Sequence, residues 1–166
     1  MIIAALSGAA SATDSRFPWQ FDMTPAEVQA QEKFGPYRSF SNGDLETCNA
    51  IFNGRTENIQ FFFSDQKLRR IGIYLYEGPS INDAASRWLE LFDILARDFG
   101  AVATPGNKDP RTDGETSRGA FISNAISIVS PGAKTQMAPL QQPSDAFVFA
   151  SFWGSEYEGQ HTYYVV

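Results

Sequence analysis

Histidine and cysteine are almost missing from this chain. Its 166 residues include one His, His161, and one Cys, Cys48. A single cysteine excludes an intramolecular disulfide and a multi-cysteine metal site. Cys48 lies in a strand-like stretch, where a small buried hydrophobe is the expectation. A nucleophilic role would need a nearby imidazole, and only His161 could supply it. Clustered positive charge is also lacking. Against 19 Asp and Glu stand 13 Lys and Arg, a formal net charge of -6, and Arg69-Arg70 is the only adjacent basic pair. Such a balance argues for solubility and against nucleic acid or an anionic membrane as partner, since phosphates attract Lys and Arg. No apolar run approaches the roughly 20 residues of a membrane-spanning helix. No phosphate-cradling glycine loop, dinucleotide fingerprint, Gly-x-Ser-x-Gly elbow or His-Glu-x-x-His helix occurs, so no cofactor is expected.

Aromatic and aliphatic residues are what the chain has in quantity. Hydrophobic residues make up 43% and aromatics 14%, with 14 Phe. That is enough to fold one α+β domain of ordinary size without staples. At the amino end, Ile2 to Ala10 is a short apolar run, and Ala10-Ser11-Ala12 fits the small-x-small pattern of signal peptidase sites. Residues 1–12 therefore read as the end of a secretory signal cut after Ala12, although no Lys or Arg precedes the run. The domain proper spans 13–166. The expected location is the periplasm or the exterior of a bacterium. No cysteine flanks the cleavage motif, so a lipid anchor is not expected.

Thr24, Pro25 and Glu27 spell a capping box with proline at the first helical position, and Gly35-Pro36 should stop this first helix near Phe34. Three strands follow, at about 46–52, 56–64 and 68–76. Asn53-Gly54 is the preferred two-residue hairpin turn. A three-residue loop, Asp65 to Lys67, is preferred for the second connection, because it pairs Phe61 with Ile71 and Ile59 with Ile73 and keeps one apolar set on one face. The second helix begins at Ser80 and carries Ala84, Trp88, Leu91, Phe92, Leu95 and Phe99 at helical spacing, ending at Gly100. Residues 104–118 read as a long polar loop. Three further strands are expected at 120–129, 146–153 and 161–166, the middle one apolar on both faces and so central. The predicted order is helix-βββ-helix-βββ: an antiparallel sheet of about six strands with two helices packed on one face.

Three stretches resemble known proteins. Phe17-Pro18-Trp19-x-Phe21-x-Met23-Thr24-x-x-Glu27-Val28 is similar to the opening of small exported bacterial domains. Phe63-x-Asp65-x-Lys67-Leu68-x-Arg70-Ile71 resembles their central hairpin. Trp88-x-x-Leu91 through Phe99-Gly100 resembles the helix that follows it. The group includes β-lactamase-inhibitor-like domains and small envelope-assembly lipoproteins. The resemblance implies short helices on an antiparallel sheet and a role in binding protein partners. It covers about half the chain, lacks the lipoproteins' anchor cysteine, and carries over no functional residue.

The candidate chemistry is sparse. His161 with Glu156 or Glu158 and a serine could serve a small hydrolase. Asn107-x-Asp109 with Asp113-Gly114-Glu115 gathers oxygen ligands, but Thr112 stands where a calcium loop needs glycine and no closing Glu follows, so a solvated loop is expected and no metal site. If Ile71, Ile73 and Leu75 face the helices, then Phe62, Arg70, Tyr74 and Tyr76 face away from them. Tyr and Arg are enriched where proteins bind each other. The expectation is therefore a non-enzymatic exported module that binds a protein or envelope component through this sheet face, with the hydrolase as the alternative.

Overall fold

A computed structural model describes residues 17–104, 106, 109–111 and 114–166. The signal-like segment 1–12 lies outside them. Helix α1 (Pro25–Gln29) opens on the capping box: the Thr24 backbone N–H donates to Glu27 Oε2 at 2.8 Å, and Glu27 N–H donates back to Thr24 Oγ1 at 3.3 Å. The helix stops well before Phe34. Its one buried residue is Val28, and Phe34 is six positions on, off any helical stripe. The chain instead turns through a 3₁₀ segment, Glu32–Phe34, which brings the Phe34 ring within 4.8 Å of Trp19.

Strands β1 (Tyr37–Ser39), β2 (Leu45–Phe52), β3 (Arg55–Ser64) and β4 (Lys67–Tyr74) form an antiparallel meander in that order. Phe61 pairs with Ile71 and Ile59 with Ile73, the expected register. The device that sets it is different. Ser64 pairs with Lys67, so the turn holds only two residues, Asp65 and Gln66, both at positive φ. A bulge then leaves Arg69 unpaired between Leu68 and Arg70. The extra residue shifts parity by one, as a third loop residue would have done.

The second sheet has the order β5-β9-β8-β7-β6. Its strands are β5 (Tyr76–Gly78), β6 (Val102–Ala103), β7 (Thr135–Pro139), β8 (Ala150–Tyr157) and β9 (Gln160–Val165). Helix α2 (Ile81–Phe99) begins at Ser80, whose side chain accepts from Asp83 N–H. Helix α3 (Glu115–Val129) occupies a segment expected to be strand. Its buried residues Ser117, Phe121, Ala125 and Val129 recur every four positions, a helical stripe. Ile122, Ile126 and Ile128 around them imitate a β-branched run. The architecture is thus α+β, as expected, but the described residues form two antiparallel sheets of four and five strands and three helices instead of one sheet of six and two helices. β8 is indeed central to its sheet, although it starts four residues later than read; Phe147 and Phe149 lie outside it, 72% and 43% exposed.

Two cores hold the helices to the sheets. Trp19, Val28, Leu45, Ile59, Phe61 and Leu68 fill the first. Trp88, Phe92, Phe121, Met137, Phe152 and Val165 are central to the second. Both lie on the same side of the strands, because β4 runs through Leu75 into β5 and joins the sheets edge to edge: Leu75 N–H donates to Val165 O at 2.8 Å.

Candidate functional site

Alternation decides which side chains the helices leave uncovered. In the first sheet, Thr47, Ile59, Phe61 and Ile73 face inward, so Glu46, Gln60, Phe62, Arg70, Gly72 and Tyr74 face out. In the second, Phe152 pairs with Val165 inside, so Trp153 pairs with Tyr164 outside. The two outer faces meet at Gly72. A Cβ placed there would sit 3.3 Å from Phe62, 3.4 Å from Tyr74 and 3.7 Å from Val166. The missing side chain lets both rings lie down over the strand. Among the described residues no helix covers this face.

Arg70 lies directly opposite Phe62 in the β3–β4 register, and its guanidinium carbon is 3.8 Å from the ring centroid. Tyr74 is half-buried; burial raises its phenol pKa, and nearby Arg70 opposes that rise. Glu46, 9% exposed, is held from three directions: Asn58 Nδ2 donates at 2.8 Å, Gln60 Nε2 at 3.2 Å, and Arg38 lies 3.7 Å away. Farther along, Trp153 stacks on Tyr164 at 5.2 Å, with Lys134 5.2 Å above the indole. The face is therefore a band of aromatic rings with cations laid on them.

Of the residues singled out in the sequence, the fold gathers Phe62, Arg70 and Tyr74 but not Tyr76. The chain bends at Leu75, and Tyr76 pairs with inward-facing Val165. Its ring packs against the larger core and its hydroxyl accepts from Ser80 N–H at 3.0 Å. Trp153 and Tyr164 were missed. Their signal was Glu158-Gly159, a two-residue turn with both φ positive, from which the pairing of 153 with 164 follows by counting.

Cys48 is exposed, not buried. Thr47 pairs with Ile59 and Ala50 with Glu57, so Cys48 and Asn49 together oppose Asn58 in a bulge. Partial burial and the Glu46 charge raise the thiol's pKa, which disfavours the nucleophilic thiolate. His161 and Glu156 stand 3.5 Å apart at the β8–β9 hairpin end, each 58% exposed. Water therefore has access to both. Asp109 is gripped by Arg111, which lowers its pKa, while Asn107 and Asp113 lie outside the described residues. Among the described residues no three His, Cys, Asp or Glu side chains converge as metal ligands. None of their helices is long and apolar enough to cross a membrane.

Two further features stand apart from the Arg70–Phe62 pair. Glu57, with a 10% exposed side chain, projects from β3 toward α2, 3.9 Å from Arg87. Burial raises its carboxyl pKa to about 7, with Arg55 lowering it and Glu90 raising it. The Gln142 side chain ties the β7–β8 loop: Nε2 donates to Pro139 O and Val148 O, both at 2.9 Å, and Oε1 accepts from Val148 N–H at 2.7 Å. The tied loop presents Phe147 and Phe149 beside a depression of about 310 Å³ next to β7.

Fold and face together define a class: an α+β protein with helices on one side of antiparallel sheets and an aromatic, cation-bearing face on the other. Comparison of the chain with protein-family models, with curated proteins and with solved structures finds no match. The resemblance to β-lactamase-inhibitor-like domains rests on the three stretches that carry it.

Proposed function

We propose that this protein is an exported, non-enzymatic binding module that engages a protein or envelope component through its helix-free sheet face. One observation carries the reading: the Arg70 guanidinium is stacked on Phe62 in the middle of that face, and no carboxylate among the described residues pairs with it. Aromatic rings and arginines of this kind are the anchors that dominate protein interfaces. The binding residues are Phe62, Arg70 and Tyr74, extended along the same face by Trp153 and Tyr164. Export rests on the small-x-small motif at Ala10-Ser11-Ala12. Photo-crosslinking in an envelope extract tests the face. p-Benzoylphenylalanine placed at Tyr164, outside, should crosslink a partner, and the same group at Ser86, on the exposed flank of α2, should not. Crosslinks from position 86 alone, or from neither position, overturn the reading.

A further inference from the structure

The way this acidic chain distributes its charges narrows the partner's chemistry. Carboxylates outnumber cations, so cations should find partners readily, and the arginines do so with one exception. Every other described arginine has a carboxylate oxygen within 3.7 Å. Arg70 has Phe62 instead. Its neighbour Arg69 shows that position is not the obstacle: the bulge turns Arg69 aside to Asp22, 2.7 Å away, while Arg70 stays on the outer face.

Stacking fixes a guanidinium without using its donors. The guanidinium lies over the ring face, and no acceptor among the described residues takes its N–H groups, which remain free for a planar bidentate acceptor. The platform is itself braced, because Phe62 and Tyr74 lie over Gly72 from either side. Pre-setting a side chain in this way removes part of the ordering cost of binding.

Resting on the reading of this face as the binding surface, we infer that the Phe62–Arg70 pair is a carboxylate anchor, and that the partner is an extended polypeptide bearing an acidic residue beside apolar ones. Charge decides against the other anionic partners. A membrane or nucleic acid is held by many cations together. This face instead offers Arg70, Lys134, an Arg38 already partnered by Glu46 and, at its hairpin end, a Lys67 that lies 3.9 Å from Asp22, and it also carries exposed Glu77. One anchored guanidinium amid rings matches a single carboxylate with apolar neighbours. The row Arg38–Glu46–Gln60–Gly72 crosses four strands, about 14 Å at the usual strand spacing, a span of some four extended residues.

The test titrates the full chain with two capped octapeptides, one alternating Glu with Val and the other alternating Gln with Val, followed by amide chemical shifts. The Glu peptide should shift residues 62, 70 and 74 and bind about tenfold tighter than the Gln peptide, the difference expected of a hydrogen bond to a charged group. Arg70→Gln should abolish the preference while leaving the melting temperature unchanged, and Arg70→Lys should restore only part of it. Equal binding of both peptides at this face overturns the carboxylate anchor and leaves the binding face standing. Shifts confined to α2 and α3 overturn both. No saturable shift at millimolar Glu peptide, or Arg70-dependent binding to phosphatidylglycerol vesicles in its place, also overturns the anchor.

Discussion

Trp88 shows how much a single residue decides in this protein. It is 1% exposed, with Phe121 at 6.5 Å and Phe152 at 6.0 Å, yet its indole N–H is buried with no hydrogen-bond partner among the described residues. Trp88→Ala should cost about 3–5 kcal/mol in urea melts. Trp88→Phe should cost only about 1 kcal/mol or less, because losing an unpartnered donor offsets part of the lost packing. A similar loss for both variants would mean that the N–H finds a partner in solution. Tyr74 and Tyr76, two residues apart, should separate as sharply. Tyr74 is half-buried on the outer face, so Tyr74→Ser should change the melting temperature little. Tyr76 packs on the core and accepts from Ser80 at the start of α2, so Tyr76→Ser should cost about 2 kcal/mol or more. Equal melting temperatures for the two would place both rings on the same side.

At the scale of elements, the β2–β3 hairpin docks on α2 through partly buried charge. Arg87 spends its shortest contact on Glu90, at 2.7 Å, and Arg55 reaches the same carboxylate at 3.2 Å. Glu57 is left with the 3.9 Å contact and pays in desolvation. Its folded pKa of about 7 exceeds the ordinary 4.5, so its neutral form is the one that folding favours. The stability this confers is full below about 4.5 and is lost as pH rises through about 7. Glu57→Gln should therefore match the parent's melting temperature at pH 4.5 and exceed it at pH 8. A constant difference across that range would show that Glu57 titrates normally. The β3–β4 turn gives a second prediction. Gln66 has φ 60°, in the left-handed region. Gln66→Gly should stabilise the fold by a few tenths to about 1 kcal/mol in denaturant titrations, the relief of αL strain exceeding glycine's entropy cost.

At the scale of the whole molecule, much was legible in local sequence. The Thr24–Glu27 capping box, the Ser80 cap, the α2 stripe and the Asn53-Gly54 turn each depend on residues a few positions apart, and each formed where the sequence put it. The inward and outward sets of β3 and β4 were legible as well, because period two survives a mistaken loop length when a bulge restores parity. So were three of the four residues placed on the open face. Tertiary structure alone decided the rest. α3 is a helix because its four-residue stripe found α2 and β8 to pack against, while its isoleucines would have served a strand equally well. Tyr76 turned inward because the chain bends at Leu75 to leave one sheet for the other, and no local pattern encodes that bend. Trp153 and Tyr164 joined the open face because β9 pairs beside β5, some 85 residues away in the chain. Short-range sequence fixes which residues share a side of an element. Which elements share a side of the molecule depends on contacts between distant segments, and those contacts place Arg70 among the rings.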